Sequence, residues 1–345
     1  MAQRILVSGA SGFIASHTVA KLLRAGYSVR GTVRDPQKSA AVDFLRTLPG
    51  AERLELVAAD LSDENAFHAH AADVDFVLHM ASPYVLDVEN PQRDLVDPAV
   101  NGTLAMLEAA AASTQVRRVV VTSSMAAITD EPDGRILTEA DWNTKSSLSR
   151  NPYYFSKVEA ERAAWTFMER RNPDFDLISI NPFMVAGPAL NSSINTTNQL
   201  FVDLAKGSYP ALMALEWGFV DVRDVALAHI RAMEAPAASG RYICAAENMN
   251  MSELVRTLAA AGIGGKLPKI DLSGQFGTAV MRFAARFQPP GVGSYLRTHL
   301  GRVPRFDNAK IRRDLGVAFR PVAKTISETA RNLISLGHVP AAKLK

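Results

Sequence analysis

Short apolar runs alternate with longer stretches of helical periodicity along residues 1–185. Four of the apolar runs have the length of buried strands: residues 4–8, 28–33, 54–58 and 118–122. Between the first two, an apolar helical pattern covers residues 13–25 and ends at Gly26, a residue type that commonly terminates helices. This order of strand, helix and strand predicts an α/β fold: a Rossmann-type, doubly wound parallel sheet with helices on both faces.

The regular alternation ends after the run INPFMVAGP. An Asn-rich stretch, NSSINTTNQ, follows it, and residues 262–305 are rich in Gly and Pro. We therefore expect residues 1–185 to form the sheet domain, completed by a strand near residues 219–221 or 240–244. Residues 186–345 are expected to form mainly a smaller cap, interleaved with this core, over the carboxyl edge of the sheet.

A glycine-rich turn joins the first predicted strand to the first predicted helix, in the run LVSGASGFIA. The N-terminus of a helix presents unpaired N–H groups and a partial positive charge, so a pyrophosphate can bind there if no side chain blocks it. Gly9 and Gly12 provide that clearance, and Ala15 is small enough for the helix to pack closely on the strand. A glycine turn that binds nothing is the alternative, but the flanking strand and helix favour a dinucleotide site.

The end of the second predicted strand bears on the choice of cofactor. There an acidic residue would bind the adenosine ribose of NAD, whereas an arginine would accept the 2′-phosphate of NADP. Arg34 comes first and Lys38 lies one helical turn further on, so we favour NADP(H). In the rival interpretation Asp35 binds the ribose hydroxyls of NAD(H). After the third strand, Asp60 can meet the adenine amino group or cap a helix that begins near Glu64.

Tyr153 and Lys157 lie four residues apart in NPYYFSK, on a predicted helix whose geometry puts them on one face. A carbonyl reductase must supply a proton to the carbonyl oxygen, and a phenol with a reference pKa near 10 does this poorly unless its anion is stabilised. The Lys157 ammonium would provide that stabilisation.

Ser123 and Ser124 directly follow the strand at residues 118–122, at the edge where open α/β sheets bind ligands. A lone serine pair can also be only a turn or a cap.

In order along the chain, VSGASGFIASH, GTVRDP, HMASP, DPAVNGT, RRVVVTSSMAA, YYFSKVEAE, INPFMVAGP and FVDVRDVALAH match one family. The chain resembles the extended short-chain dehydrogenases/reductases, in the branch of dihydroflavonol reductases, cinnamoyl-CoA reductases and yeast-type aldehyde and ketone reductases. The resemblance covers Ile5 to His229, about two thirds of the chain, and is loose beyond it, chiefly at FDNAKIRRDLG. It implies an NADP-binding domain at residues 1–185 and a substrate-binding cap at 186–345.

The resemblance also implies roles for individual residues. Tyr153 would be the acid, Lys157 its electrostatic partner and ribose anchor, and Ser124 the hydroxyl that polarises the carbonyl. Ser124 is preferred to Ser123 because the family's serine directly precedes a small residue, although Met125 stands there in this chain. Asn101 resembles an Asn that supports a water link to the lysine. The implied cofactor contacts are Gly9, Ser11, Gly12, Phe13, Ile14, Arg34, Lys38, Asp60, Leu61, Met80, Ala81, Ser82, Tyr153, Lys157, Pro182, Phe183, Met184 and Val185.

Four large side chains are candidates for the substrate pocket: Tyr84, Met125, Met184 and Trp217. Met125 would project towards the substrate and reshape the pocket. This mostly apolar set suits a hydrophobic or aromatic carbonyl compound, but the same residue types at apolar positions are equally typical of a core.

Several polar residues have a structural interpretation. His79 ends an apolar strand, without the cluster of ligands that a metal needs, so we expect it to be packed and hydrogen-bonded, and we expect no metal site. His68 and His70, two residues apart, point to different faces of a helix and are expected in solvent. Asp221 and Asp224 begin a predicted helix, where they are expected to cap and to pack.

Charge and cysteine content fit an ordinary enzyme. The net charge is +3, from 38 basic and 35 acidic residues, so a nucleic-acid partner is not expected. The single cysteine, Cys244, cannot form an internal disulfide, which is typical of the reduced cytoplasm. No signal peptide precedes Ile5 and no apolar run reaches membrane-spanning length, so we expect a cytoplasmic protein with no membrane partner. The family resemblance allows either a monomer or a homodimer.

Together these features favour an NADPH-dependent reductase of a small-molecule aldehyde or ketone, reversible as a secondary-alcohol dehydrogenase. An NAD-dependent sugar-nucleotide epimerase or dehydratase is the main alternative, because such enzymes share the Ser, Tyr and Lys. A third possibility, a regulator that senses NADP without turnover, fits poorly, since such relatives usually lack the tyrosine and lysine.

Overall fold

The computed structural model describes residues 3–61, 63, 65, 67–82, 88–288 and 290–342. Its strands are β1 (Arg4–Val7), β2 (Ser28–Val33), β3 (Leu54–Ala58), β4 (Phe76–His79), β5 (Arg118–Thr122), β6 (Ile136–Leu137), β7 (Asp176–Pro182), β8 (Met184–Ala186), β9 (Leu212–Met213), β10 (Glu216–Asp221), β11 (Gly240–Cys244), β12 (Glu247–Asn250), β13 (Asp271–Leu272) and β14 (Arg305–Phe306). Its helices are α1 (Phe13–Arg24), α2 (Ser39–Arg46), α3 (His68–Ala71), α4 (Asp97–Ala111), α5 (Pro152–Arg171), α6 (Thr196–Lys206), α7 (Val222–Glu234), α8 (Met251–Ala260), α9 (Gln275–Ala284), α10 (Pro290–His299), α11 (Ala309–Leu315) and α12 (Val322–Ser335).

Within the described residues, the central sheet has seven strands in the order β11-β7-β5-β4-β1-β2-β3, and every neighbouring pair is parallel. Its strands are rich in Val, Ile and Leu because helices cover both faces. The chain runs outward from β1 to β3 and then returns to β4 beside β1. Ligands of such sheets bind where the strand order reverses, at the carboxyl ends of the strands. The α/β, doubly wound fold predicted from the sequence is confirmed.

Among the described residues, three smaller sheets lie outside the central sheet. The largest joins β12, β10 and β8, and its β8 continues directly from β7 of the central sheet. A hydrophobic cluster that includes Phe201, Trp217, Leu254 and Ile326 packs this C-terminal part of the chain together. β11 returns from this part of the chain to pair with β7.

Local sequence explains several helix ends. Pro152 stands in the first turn of α5, where its missing N–H is tolerated. Asn250 and Glu253 form a reciprocal capping box at the start of α8, and Gly207 ends α6 in the left-handed conformation.

One predicted helix lies partly outside the described residues. Its expected start, Glu64, is not described, and within the described residues a single turn, α3, starts at His68. The alternative role of Asp60 as the cap of this helix stays a prediction. His68 is exposed as expected, but His70 is half-buried, with its Nε2 3.0 Å from the carbonyl oxygen of Ala58.

Candidate active site

The glycine turn follows β1 at the point where the strand order reverses. Gly9 has φ 65°, and a Cβ there would lie 3.1 Å from the Cα of Ala81, the residue two positions after β4. The turn is also bonded to β2, because Gly9 N–H donates to Thr32 Oγ1 at 3.1 Å and Ala10 N–H donates to Thr32 O at 2.9 Å. Only glycine satisfies both the left-handed conformation and the close approach at position 9.

The N-terminus of α1 suits an anion. Its capping residue is Gly12, which is exposed, contributes no side-chain bond and precedes a first turn without an acidic residue. Phe13 and Ile14 begin the helix half-buried, and Ala15 is packed against the sheet. A phosphate at this end would meet N–H groups and the positive end of the helix dipole.

Ser8 braces the loop after β4. Its Oγ accepts the N–H groups of Met80 and Ala81, each at 2.9 Å, and lies 3.0 Å from His79 Nδ1. With two donors already on this oxygen, the hydroxyl proton points to Nδ1, so the imidazole carries its proton on Nε2. Burial lowers the pKa of His79 to about 4, which keeps the ring neutral. His79 is thus packed and hydrogen-bonded, as expected.

The end of β2 presents two cations to solvent. Arg34 and Lys38 are exposed, with Lys38 at the start of α2. The Asp35 carboxylate accepts the N–H of Gln37 at 2.8 Å, so one of its oxygens is used within its own turn. This arrangement leaves the two cations as the groups best placed for a 2′-phosphate.

Helix α5 holds the tyrosine and the lysine. It begins after Asn151, which adopts φ 49° and donates through Nδ2 to the buried Asp130 carboxylate at 2.7 Å. Lys157 Nζ lies 5.8 Å from the centre of the Tyr153 ring. The same Nζ donates to Ser82 Oγ at 2.7 Å, which joins α5 to the loop after β4. Tyr153 is half-buried, at the carboxyl edge of the sheet.

Lys157 is a buried cation, with 7% of its surface exposed. Burial lowers its pKa from 10.5 to about 8, because the ammonium loses solvation, and the nearby Glu161 carboxylate opposes this fall. Lys157 therefore keeps its charge at neutral pH but releases its proton more readily than a surface lysine does.

The two serines after β5 have different partners. Ser123 Oγ donates to the buried Glu161 carboxylate at 2.6 Å. Ser124 is half-buried and caps the 3-10 helix Met125–Ala127, accepting the Ala126 N–H at 3.1 Å. Helix α5 packs against this short helix, so Ser124 lies at the same edge as Tyr153 and Lys157. The geometry favours Ser124 over Ser123 as the hydroxyl for substrate.

Two of the four pocket candidates lie in the core. Met125 is 3% exposed and packs with Ile128 and Ile243, so it does not project from the wall of an open pocket as expected. Trp217 is 4% exposed in the hydrophobic cluster of the C-terminal part, where its Nε1 donates to Tyr295 Oη at 2.7 Å. Met184, at the start of β8, is half-buried. Tyr84 lies outside the described residues.

The remaining candidates lie along the carboxyl edge of the sheet or on a flanking helix. Asp60 is exposed after β3, and half-buried Leu61 packs so closely on α4 that a Cβ at Gly102 would lie 2.6 Å from its Cδ2. Asn101 is exposed on α4. The rest are distributed over three segments: Ser11 in the glycine turn, Met80, Ala81 and Ser82 after β4, and Pro182, Phe183, Met184 and Val185 from β7 into β8.

The predicted helix-starting aspartates do cap and pack. Asp221 accepts the Arg223 N–H at 2.8 Å at the start of α7 and the Thr325 hydroxyl at 2.8 Å. Asp224 is fully buried and accepts the Arg320 N–H at 2.7 Å.

Sequence reasoning missed Ser8, Thr32, Glu161, Asn181 and Arg241. Glu161 carried the one available signal, since it follows Lys157 by four residues on the same helix and therefore shares its face. Nothing in the local sequence marks the other four.

The part of the chain that the structure describes contains neither a metal-ligand cluster nor a membrane-spanning helix. Among the described residues, no three His, Cys, Asp or Glu side chains are grouped as a metal site. The helices within the described ranges include none that is long and apolar enough to cross a membrane.

Comparison with known proteins identifies the family. Residues 5–245 match the model of the NAD dependent epimerase/dehydratase family. The chain is 43% identical to cinnamoyl-CoA reductase CAD2 of Medicago truncatula over 264 residues, which cover 74% of this chain and 79% of that protein. It is 36% identical to cinnamoyl-CoA reductase 2 of Arabidopsis thaliana over 342 residues, or 97% and 94% of the two chains.

Among solved structures, the yeast methylglyoxal/isovaleraldehyde reductase Gre2, complexed with NADPH, is 30% identical with a TM-score of 0.77, covering 97% of this chain and 99% of its own. The matched family, the reductase relatives and the seven-stranded parallel sheet agree with one another. The chain is therefore an oxidoreductase that belongs to the NAD-dependent epimerase/dehydratase family, the extended short-chain dehydrogenases/reductases, in the branch of the cinnamoyl-CoA, dihydroflavonol and yeast-type aldehyde and ketone reductases.

Proposed function

We propose that this protein is an NADPH-dependent reductase of an aldehyde or ketone, with Tyr153 as the general acid. The observation that carries the proposal is the position of the buried Lys157 ammonium, 5.8 Å from the Tyr153 ring centre and 2.7 Å from Ser82 Oγ. The Lys157 ammonium thus lies beside the proton donor and is hydrogen-bonded to the loop that borders the glycine turn. Lys157 would therefore contribute to both proton transfer and dinucleotide binding.

The residues present fit a dinucleotide. Gly9 and Gly12 leave the N-terminus of α1 free of side chains, and a Cβ at Gly9 would already crowd Ala81. The pyrophosphate would bind at this helix end. Lys157 and Ser82 would hold the nicotinamide ribose, and residues 182–185 would line the nicotinamide ring.

Exposed cations support NADPH over NADH. Arg34 and Lys38 follow β2, where the adenosine ribose of such sheets lies, and Asp35 already accepts the Gln37 N–H. Two positive charges fit the 2′-phosphate, and the yeast relative at 30% identity was solved with NADPH bound.

When bound, NADPH supplies the hydride that forms the new C–H bond at the carbonyl carbon. Tyr153 donates its hydroxyl proton to the carbonyl oxygen, which receives the π-electron pair of the C=O bond, so the product is an alcohol. The Lys157 ammonium stabilises the phenolate that Tyr153 becomes, and a solvent proton then restores the phenol. The Ser124 hydroxyl donates a hydrogen bond to the same oxygen and holds it in place.

The half-buried Met184 and the adjoining Phe183, which contacts Phe306 of the cap, offer an apolar wall next to the nicotinamide segment. The wall supports an apolar or aromatic carbonyl compound as substrate.

The test measures NADPH and NADH oxidation by absorbance with aromatic aldehydes, diketones, β-keto esters and a dihydroflavonol. We expect turnover with NADPH on at least one class. Tyr153→Phe should lower kcat by about 10²–10⁴-fold while NADPH binding, followed by its fluorescence, stays near wild type. Unchanged turnover in this variant would remove Tyr153 as the acid. If no compound of the panel is reduced and the denatured protein releases NAD, the result would favour epimerase chemistry.

A further inference from the structure

Glu161 is a carboxylate buried beneath the candidate active site. It lies on α5 one turn after Lys157, and its side chain is 1% exposed. Its ion-pair partner is Arg241 of β11, 7% exposed, with Nε 2.8 Å from Oε1. A desolvated ion pair rarely gains more stability than well-packed apolar residues would, so stability alone does not account for these charges.

The carboxylate also connects α5 to two further strands of the central sheet. Ser123 Oγ, after β5, donates to Oε2 at 2.6 Å, and Asn181 Nδ2, in β7, donates to the same atom at 2.8 Å. Asn181 Nδ2 also donates to the carbonyl oxygen of Ser124 at 3.2 Å. Glu161 thereby connects the helix of Tyr153 and Lys157 to the backbone of Ser124 and to the strand that ends at Pro182.

Arg241 is itself held in place. Its Nη1 donates to the carbonyl oxygens of Glu139 at 2.9 Å and Asp141 at 2.6 Å, and its guanidinium lies 3.9 Å from the centre of the Trp142 ring. The position of the Glu161 carboxylate is therefore set by β11 and by the loop before α5, as well as by its own helix.

We propose that Glu161 is a positioning residue of this reductase, whose carboxylate fixes Ser124 relative to Tyr153 and whose negative charge stabilises the Lys157 ammonium. This inference rests on the proposed function. It gives the Glu161–Arg241 pair a role in proton transfer, although neither residue reaches the substrate.

The charges around Lys157 support the electrostatic part. On α5 it is faced by Glu161 and Tyr153, and from β4 by His79, which burial keeps neutral. Arg241 of β11 faces Glu161 from the far side. Burial lowers the pKa of Lys157 and Glu161 opposes that fall. Loss of the carboxylate would therefore lower the pKa of Lys157 further, and the less stable ammonium would stabilise the Tyr153 phenolate less.

The experiment compares the wild type with a double variant, Glu161→Gln with Arg241→Gln, which removes both charges of the pair, so that neither partner is left behind as an unpaired ion. A matched control is Glu169→Gln, which removes an exposed carboxylate further along α5. Each protein is measured for melting temperature, NADPH affinity, kcat and KM, and for the pH profile of alcohol oxidation, in which Tyr153 must be the phenolate base.

We expect the double variant to bind NADPH within about threefold of wild type and to lose roughly tenfold in kcat. The acid limb of its oxidation profile should move to higher pH by about one unit, because the phenolate is less stabilised. Glu169→Gln should change neither quantity. A folded double variant with wild-type kcat, or with a lower kcat and an unmoved acid limb, would overturn the proposal, since the second result is what a purely structural role gives.

If the double variant does not fold, Glu161→Asp decides the question. It keeps the charge and shortens the reach, so kcat should fall while the acid limb stays in place, and a moved limb or an unchanged kcat would contradict the proposal. The activity of the wild type separates the proposed reductase function from the proposed role of Glu161. A wild type without turnover on any carbonyl overturns the proposed reductase, whereas an active wild type with an unaffected Glu161 variant overturns this inference alone.

Discussion

The ammonium of Lys157 donates a hydrogen bond of 2.7 Å to the hydroxyl of Ser82, a residue 75 positions earlier in the chain. The bond joins helix α5 to the loop after β4 and places a buried cation between the glycine turn and Tyr153. The lysine can therefore serve the dinucleotide and the proton donor at once.

Replacing Lys157 with Met should abolish reduction yet stabilise the fold at neutral pH. Burial lowers the pKa of this lysine from 10.5 to about 8, so at pH 7 the folded protein holds an ammonium that would be better solvated in the unfolded chain. We expect a gain in the free energy of unfolding on the order of 1–3 kcal/mol at pH 7, measured by urea denaturation.

The size of this effect depends on pH. Between about pH 8 and 10.5 the unfolded wild type keeps the lysine proton that the folded protein has released, so wild-type stability should rise with pH in this window. The gap between Lys157→Met and wild type should therefore be largest below pH 8 and narrow by pH 10. A variant that is less stable than wild type at pH 7 would contradict the expectation.

Removing the two exposed cations after β2 should change cofactor choice. We expect Arg34→Ser with Lys38→Ser to weaken NADPH binding by about 10–100-fold, since two charge-assisted contacts to the 2′-phosphate are lost, and to leave NADH binding nearly unchanged. Titration of NADPH and NADH fluorescence measures both. The control is Arg24→Ser, which removes an exposed cation at the end of α1. Equal losses for both cofactors would argue against a 2′-phosphate site.

Two glycines with positive φ provide a matched pair for the glycine turn. Gly9→Ala introduces left-handed strain and also a Cβ 3.1 Å from Ala81, whereas Gly26→Ala introduces the strain at φ 90° with no atom within 4 Å. Each should cost about 1 kcal/mol of stability from strain. Only Gly9→Ala should also weaken NADPH binding, by tenfold or more, because it displaces the loop that carries Ser82. Comparable NADPH affinities in the two variants would show that the turn tolerates a side chain.

Much of the fold followed from the chain's periodicity. The strands at residues 28–33, 54–58 and 118–122 have the predicted bounds, because each is a short apolar run whose limits are visible in the sequence. The start of the helix expected near Glu64 lies outside the described residues, and within them only the single turn of α3 follows it. Short polar helices depend on what they pack against, which the sequence does not reveal.

For the pocket, apolar side chains gave an ambiguous signal. Met125 and Trp217 have the chemistry of a substrate wall, yet both are in the core. A methionine or tryptophan gains free energy from burial in either place, so composition cannot separate the two.

The sequence by itself determined what is local: the glycine turn between a strand and a helix, the four-residue spacing that puts Tyr153 and Lys157 on one helical face, and the cations after β2. These follow from backbone geometry over a few residues, which the order of side chains fixes directly. Only the tertiary structure decided that Ser82 meets Lys157, that Ser8 braces the loop after β4, and that Arg241 pairs with Glu161 from 80 residues away. The first two contacts arise because the parallel sheet brings the carboxyl ends of distant strands to one edge, and the third arises because β11 joins the sheet beside β7. No local pattern records which strands will be neighbours.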